Sequence, residues 1–176
     1  MKKIILSILI TSLIYSCQQP AKTSDLLRTG TANEQKEVIS MLDSFNRAAA
    51  NADYNTYFNF FTDDAIFCGT DATERWNKND FMLWAKPYFD KKTTWNFTSV
   101  ERHIYFNNSD GFAWFDELLN TQMKICRGSG VLVKQNDGWK IKQYILSATI
   151  PNKVMDSVVK IKAPLEDVII KRLTQK

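Results

Sequence analysis

Hydrophobic positions along this 176-residue chain fall into two regimes. In the first, Val38, Leu42, Phe45, Ala49 and Ala52 recur at helical spacing and predict a helix over about Asn33 to Asn51. Thr31 or Asn33 can cap it, and Glu34 and Glu37 suit its positive end. Asp53 then caps a short second helix with Tyr57, Phe58 and Phe61 facing inward; Asp63 and Asp64 end it. Ala65-Ile66-Phe67-Cys68-Gly69 reads as a buried strand, followed by a polar loop from Thr70 to Glu74 and a short Arg75-Trp76 segment. Asn77 caps a third helix carrying Phe81, Met82, Trp84 and Ala85, which Pro87 ends or bends.

The second regime begins at Thr93. Thr93 to Phe106 is rich in β-branched and aromatic residues, Asn107 to Gly111 is a turn, and Phe112 to Ile125 is another strand. Arg127-Gly128-Ser129-Gly130 reads as a turn into Val131 to Gln135. Asn136-Asp137-Gly138 is a strong hairpin signal ahead of a last strand from Trp139 to Ile150. Helices first and an antiparallel meander after them predict an α+β domain, with helices on one face of a curved, mainly antiparallel sheet. Beyond Pro151 the pattern predicts two short helices: Val154, Val158 and Ile161 share one face, and Pro164 opens the second, with Lys171 and Arg172 in its last turn. The apolar face of this tail must cover its own domain, a twin subunit or a lipid surface.

The leading segment has a different logic. Lys2 and Lys3 precede an apolar run from Ile4 to Tyr15, broken only by Ser7, Thr11 and Ser12. The run falls short of the roughly 20 residues that span a bilayer and fits the core of a secretory signal, roughly 7 to 15 residues long. It ends Leu13-Ile14-Tyr15-Ser16-Cys17, which resembles the bacterial lipobox. The resemblance implies a signal peptide over 1–16, lipidation of Cys17, and a protein tethered to a bacterial membrane in the cell envelope, periplasmic or outer-membrane. Ordinary cleavage with a free Cys17, an uncleaved anchor and a buried apolar segment stay open as alternatives. Residues 17–32 read as a polar tether, 33–151 as the domain and 152–176 as a helical tail.

Charge narrows the partners. The formal net charge is +4, Lys2 and Lys3 belong to the leading segment, and the other charges are interspersed. Nucleic-acid binding therefore lacks its electrostatic footprint. Five Trp, six Tyr and eleven Phe suit a fold built around a thick sheet or an apolar pocket. Cys68 and Cys126 can be joined in an exporting compartment or stay as free thiols. One histidine with no Cys-His cluster argues against zinc, and no cofactor is implied.

The order helix, helix, strand, helix, meander resembles the NTF2-like (cystatin-like) superfamily, in its SnoaL-like and ketosteroid-isomerase-like branch. The likeness rests on Phe60-Phe61-Thr62-Asp63-Asp64-Ala65-Ile66-Phe67, on Gly69-Thr70-Asp71 with Glu74 and Trp76, on Ala113-Trp114-Phe115, and on Asp137-Gly138-Trp139-Lys140-Ile141. It implies a cone whose curved sheet and helices enclose one pocket, and a homodimer paired through the outer sheet face. Fold alone does not choose among the superfamily's isomerases, cyclases, dehydratases and binding proteins. In the isomerases a carboxylate base stands at the end of the first strand and a donor tyrosine on the first helix. Here Gly69 and Phe45 fall at those places, so both functional groups are missing.

Other polar groups are candidates for chemistry. Asp71 and Glu74 follow the first strand at the mouth of the cone, as a base or as a loop cap and an exposed acid. Asp116 and Glu117 are adjacent in a strand, so alternation sends one to each face; the inner one gains a raised pKa or pairs with Arg102 or Arg127. His103 shares its strand face with Glu101 and Tyr105 and is either an acid/base group or an ordinary strand residue. The catalytic candidates are Asp71, His103 and Asp116. Tyr57, Trp84, Trp95, Trp114 and Tyr144 are candidates for stacking a ligand. Three functions follow: an exported, lipid-anchored domain binding a small, largely apolar molecule; an acid/base enzyme of isomerase, dehydratase or hydrolase type; or a homodimeric assembly module of the envelope.

Overall fold

The computed structural model describes residues 30–107 and 111–175. The proposed signal peptide, Cys17 and the centre of the Asn107–Gly111 turn lie outside the described residues.

Helix α1 spans Ala32–Ala50. Thr31 caps it in a capping box: its hydroxyl accepts from Glu34 N–H at 3.2 Å, and Glu34 Oε2 accepts from Thr31 N–H at 2.8 Å. Val38, Met41, Leu42, Phe45, Ala48 and Ala49 form its buried stripe. Asp53 caps α2, Tyr54–Asn59, which is shorter than the pattern predicts because the strand begins early. Strand β1 runs Phe61–Cys68, so Asp63 and Asp64 lie within it, on exposed positions. Strand β2, Arg75–Asn77, pairs back on β1 with Phe67 opposite Trp76. Asn77 caps α3, Lys78–Asp90, and Phe81, Ala85 and Phe89 pack inward.

Pro87 neither ends α3 nor starts a new element; it lies inside the helix. The carbonyl it deprives of a partner belongs to Leu83, a residue 75% exposed, where solvent replaces the lost hydrogen bond.

The meander consists of β3 (Thr98–Phe106), β4 (Phe112–Thr121), β5 (Lys124–Gln135) and β6 (Gly138–Ala148). With β1 and β2 it forms one sheet in the order β2-β1-β6-β5-β4-β3; β1 and β6 are the parallel pair. The Asn136–Asp137 turn lies where the sequence signals it, between paired Gln135 and Gly138. The Gly128-Ser129-Gly130 segment is no turn. It runs through the middle of β5, opposite Glu117, Asp116 and Phe115 of β4. The chain reverses earlier, at Gln122–Met123, held by Thr121 Oγ1, which accepts from Met123 N–H and donates to the Lys124 carbonyl, each at 2.9 Å.

The two glycines serve close approach. A Cβ on Gly128 would stand 2.5 Å from the Tyr144 hydroxyl, and one on Gly130 2.7 Å from the Phe115 ring. The inner sheet face and the helices thus close on a core of aromatic rings with little room to spare.

The tail is a single helix, α4 (Met155–Thr174), after a 3-10 turn at Asn152–Val154, and Pro164 lies inside it. Among the described elements α4 packs only against that turn, and Ile161, Leu165 and Val168 stay exposed. No described helix is long and apolar enough to cross a membrane.

Candidate functional site

Two polar features stand against the aromatic core, one deep and one at the open end. The deep one comes from strand alternation. Glu117 points inward from β4 and is 1% exposed, while Asp116 points outward. Opposite Glu117 in β3 stands Arg102. Arg102 Nε donates to Glu117 Oε2 at 2.8 Å, Nη2 lies 2.7 Å from the same oxygen, and Nη1 reaches Asp43 Oδ1 on α1 at 2.8 Å. Burial pushes the Glu117 carboxyl above its ordinary range, and the Arg102 charge only partly offsets it. For Arg102 burial works downward, but Glu117 and Asp43 together outweigh it and raise the guanidinium pKa. Tyr144 completes the layer. Its hydroxyl and Glu117 Oε1 are both buried and have no hydrogen-bond partner among the described residues. Burial, then the Glu117 charge, pushes the Tyr144 hydroxyl well up.

The second feature is a cavity of about 140 Å³ at the open end of the cone. Its walls come from the end of β1, the β1–β2 loop, β2, α3, the segment before β3, the β4–β5 turn and β6: Phe67, Trp76, Phe81, Trp84, Trp95 and Met123 are among them. The rings support one another. Phe67 stacks between Tyr144 at 5.6 Å and Phe81 at 4.0 Å, and Trp84 stacks on Trp76 at 4.8 Å. Helical spacing explains the placement: Phe81 and Ala85 face the core, so Trp84 lies on the flank of α3 and is 38% exposed.

Glu74 is the one charged side chain among the cavity's described lining residues. The loop that presents it is tightly bonded. Gly69 N–H donates to the Glu74 carbonyl at 2.9 Å, Glu74 N–H to the Asp71 carbonyl at 3.0 Å, and Asp71 N–H to Glu74 Oε2 at 3.2 Å. A Cβ at Gly69 would collide with Glu74 Oε2, so any larger residue there would push the carboxylate aside. The carboxylate occupies the space that a side chain at the end of β1 would fill.

The structure divides the candidates from the sequence. Trp84 and Trp95 line the cavity. Tyr57 and Tyr144 are core residues, each 1% exposed; Tyr57 stacks on Phe45 at 4.6 Å, and burial raises its hydroxyl well above the ordinary value. Trp114 projects from the convex face, stacked on Tyr105 at 5.8 Å. His103 and Asp116 face each other across β3 and β4 on that same outer side. His103 Nε2 is 2.9 Å from Glu101 Oε1, and Asp116 lies 3.7 Å from Arg127 Nη1. Asp71 closes the loop: its Oδ1 accepts from Thr73 N–H at 2.8 Å and Thr73 Oγ1 at 2.6 Å, which holds its carboxyl below the usual range. Asp71, His103 and Asp116 therefore do not converge. Phe67, Phe81 and Met123 are among the lining residues that the sequence did not single out; Glu74, weighed with Asp71 as a base or an exposed acid, reaches the cavity where Asp71 does not. Cys68 and Cys126 are unpaired thiols.

Comparison with known proteins agrees with this architecture. A family model described as SnoaL-like domain matches residues 38–151. No curated protein shows significant sequence similarity to the chain. Among solved structures, an NTF2-like protein of unknown function from Pseudomonas putida KT2440 superposes with a TM-score of 0.60 at 12% identity, covering 72% of this chain and 94% of that one. A domain of unknown function with a cystatin-like fold from Nostoc punctiforme gives 0.58 at 12% identity, covering 84% and 100%. A protein of the NTF2-like family from Streptomyces avermitilis, put forward as a dehydratase, gives 0.57 at 13% identity, covering 68% and 98%.

Proposed function

The chain belongs to the SnoaL-like domain family, and from that premise we propose that it binds a small, largely apolar molecule in the cavity at the open end of its cone. The observation that carries this reading is the lining: an accessible wall of tryptophan and phenylalanine rings around a space of about 140 Å³. A cavity of roughly 150 Å³ lined by apolar side chains takes up a benzene-sized molecule. The space therefore holds a small ligand, or one end of a larger one. Export and lipid attachment at Cys17 belong to the same proposal, supported by the Lys2-Lys3 start, the apolar run and the Ser16-Cys17 junction.

Calorimetry with benzyl alcohol and cyclohexanol tests the binding. Saturable uptake that Trp84→Ala weakens about tenfold is expected, and no uptake of either compound refutes it. Intact mass of membrane-extracted protein tests the anchor: a diacylglycerol and acyl increment on Cys17 is expected, and an unmodified thiol refutes it.

A second reading has one observation in its favour. Glu74 brings a carboxylate to the end of β1, where Gly69 itself offers none. An acid/base enzyme of isomerase or dehydratase type would use it to remove a proton from carbon. Deuterium incorporation into cyclohexanone in D2O, faster than in buffer and abolished in Glu74→Gln, is the expected sign. Exchange at the buffer rate ends this reading.

A further inference from the structure

The electrostatics of the cavity are one-sided. Aromatic faces carry the negative lobe of the ring quadrupole, and three tryptophans present rings here: Trp76, Trp84 and Trp95. The Met123 thioether adds a polarisable, electron-rich atom. Glu74 adds a full negative charge, and no lysine or arginine among the described residues lies within ion-pair distance of it. Its one fixed partner is the Asp71 N–H. Glu117, the one carboxylate among the described buried residues, is by contrast paired with Arg102. Among the described residues Glu74 is the one charged side chain lining this aromatic-walled space, and it has no ion pair there.

We propose that the cavity is a site for small organic cations, an alkylammonium or quaternary ammonium group seated between the Glu74 carboxylate and the faces of Trp84 and Trp95. Aromatic walls with a carboxylate recognise such groups because the ring quadrupoles and the carboxylate both attract the diffuse positive charge, while the methyl groups gain apolar contact. The carboxylate is held by the loop and by the space that Gly69 leaves open, so little is lost in ordering it on binding. This inference rests on the cavity being a ligand site, and it names the class of ligand.

An isosteric pair separates the two claims. Choline and 3,3-dimethylbutan-1-ol have the same shape and differ in the charged nitrogen. Calorimetry on the full-length protein in a sugar-headed, non-ionic detergent should show choline bound about tenfold more tightly than the alcohol. Glu74→Gln should bring the two affinities to within about threefold, while Trp84→Ala should weaken both. Equal binding of the pair by the unaltered protein overturns the cation site and leaves the apolar pocket standing. Binding of neither, with benzyl alcohol and cyclohexanol also silent, overturns the pocket itself. A preference for choline that survives Glu74→Gln in a folded variant removes the carboxylate from the site and overturns the arrangement proposed.

Discussion

Glu117 and Glu74 are two carboxylates set against the same pile of aromatic rings, and they differ in what stands opposite. Glu117 is sealed inside the cone and meets Arg102, itself tied to Asp43. Glu74 stands at the open end and meets only a backbone N–H and the rings of the cavity. The first arrangement is closed: a buried charge is tolerable only if paired, and its pairing locks β3, β4 and α1 in register. The second is open, with its electrostatic partner still to be supplied from solution. The type of residue is identical in both places. Role follows from the neighbours and from access.

The comparison is sharpened most by breaking the closed pair. Arg102→Met leaves Glu117 buried without its counter-charge and should cost on the order of 3–5 kcal/mol in urea unfolding. The pH dependence has a definite sign. Glu117 has a raised folded pKa, so its contribution to stability is present below its unfolded value and is lost as pH rises through the folded one. Without Arg102 the folded value rises further, so the deficit of the variant should grow as pH rises from the ordinary carboxylate range through that raised value. A deficit that stays constant across that range denies the carboxylate its titration. Next comes Gly69→Ala, whose new methyl must displace the Glu74 carboxylate. A cost of about 1 kcal/mol is expected, because the atom displaced is the far end of a flexible side chain, together with loss of choline binding; unchanged affinity separates Glu74 from the site.

Smaller effects test the quieter parts. Tyr144→Phe removes a buried hydroxyl that has no partner among the described residues, and should be neutral or gain up to about 1 kcal/mol. A loss larger than about 1 kcal/mol shows that the hydroxyl is satisfied, and that the deep network extends further than the pair. Smallest of all, Glu74→Gln should change stability by no more than about 0.5 kcal/mol, because the side chain holds one loop hydrogen bond and no ion pair. A large loss there would make Glu74 structural, like Glu117, and erase the contrast.

Local signals in the chain carried far. Asp53 and Asn77 announced two helix starts, and Thr31 was one of two candidates for the first, because capping is a contact over three residues; the Asn136–Asp137 turn was legible because few residues tolerate its backbone. Alternation placed Asp116 and Glu117 on opposite faces, since side-chain direction in a strand follows parity alone. The misread elements share a cause. Gly128 and Gly130 look like a turn in sequence, yet their small size answers to Tyr144 and Phe115, residues distant in the chain. Pro87 and Pro164 look like breaks, yet each lies inside a helix, and Leu83 and Lys160, four residues before them, are exposed.

What the sequence determined by itself was therefore the order of elements, the family they make and the excess of aromatic residues; each is written in spacing and composition. Which tryptophans line a cavity and which coat the outer sheet was decided only by tertiary structure, since Trp84 and Trp114 are alike until a helix flank and a convex face separate them. So too with the carboxylates. Charge is a property of the residue, but the presence or absence of a counter-charge is a property of what the fold brings within a few ångströms, and that is where Glu117 became a brace and Glu74 a site.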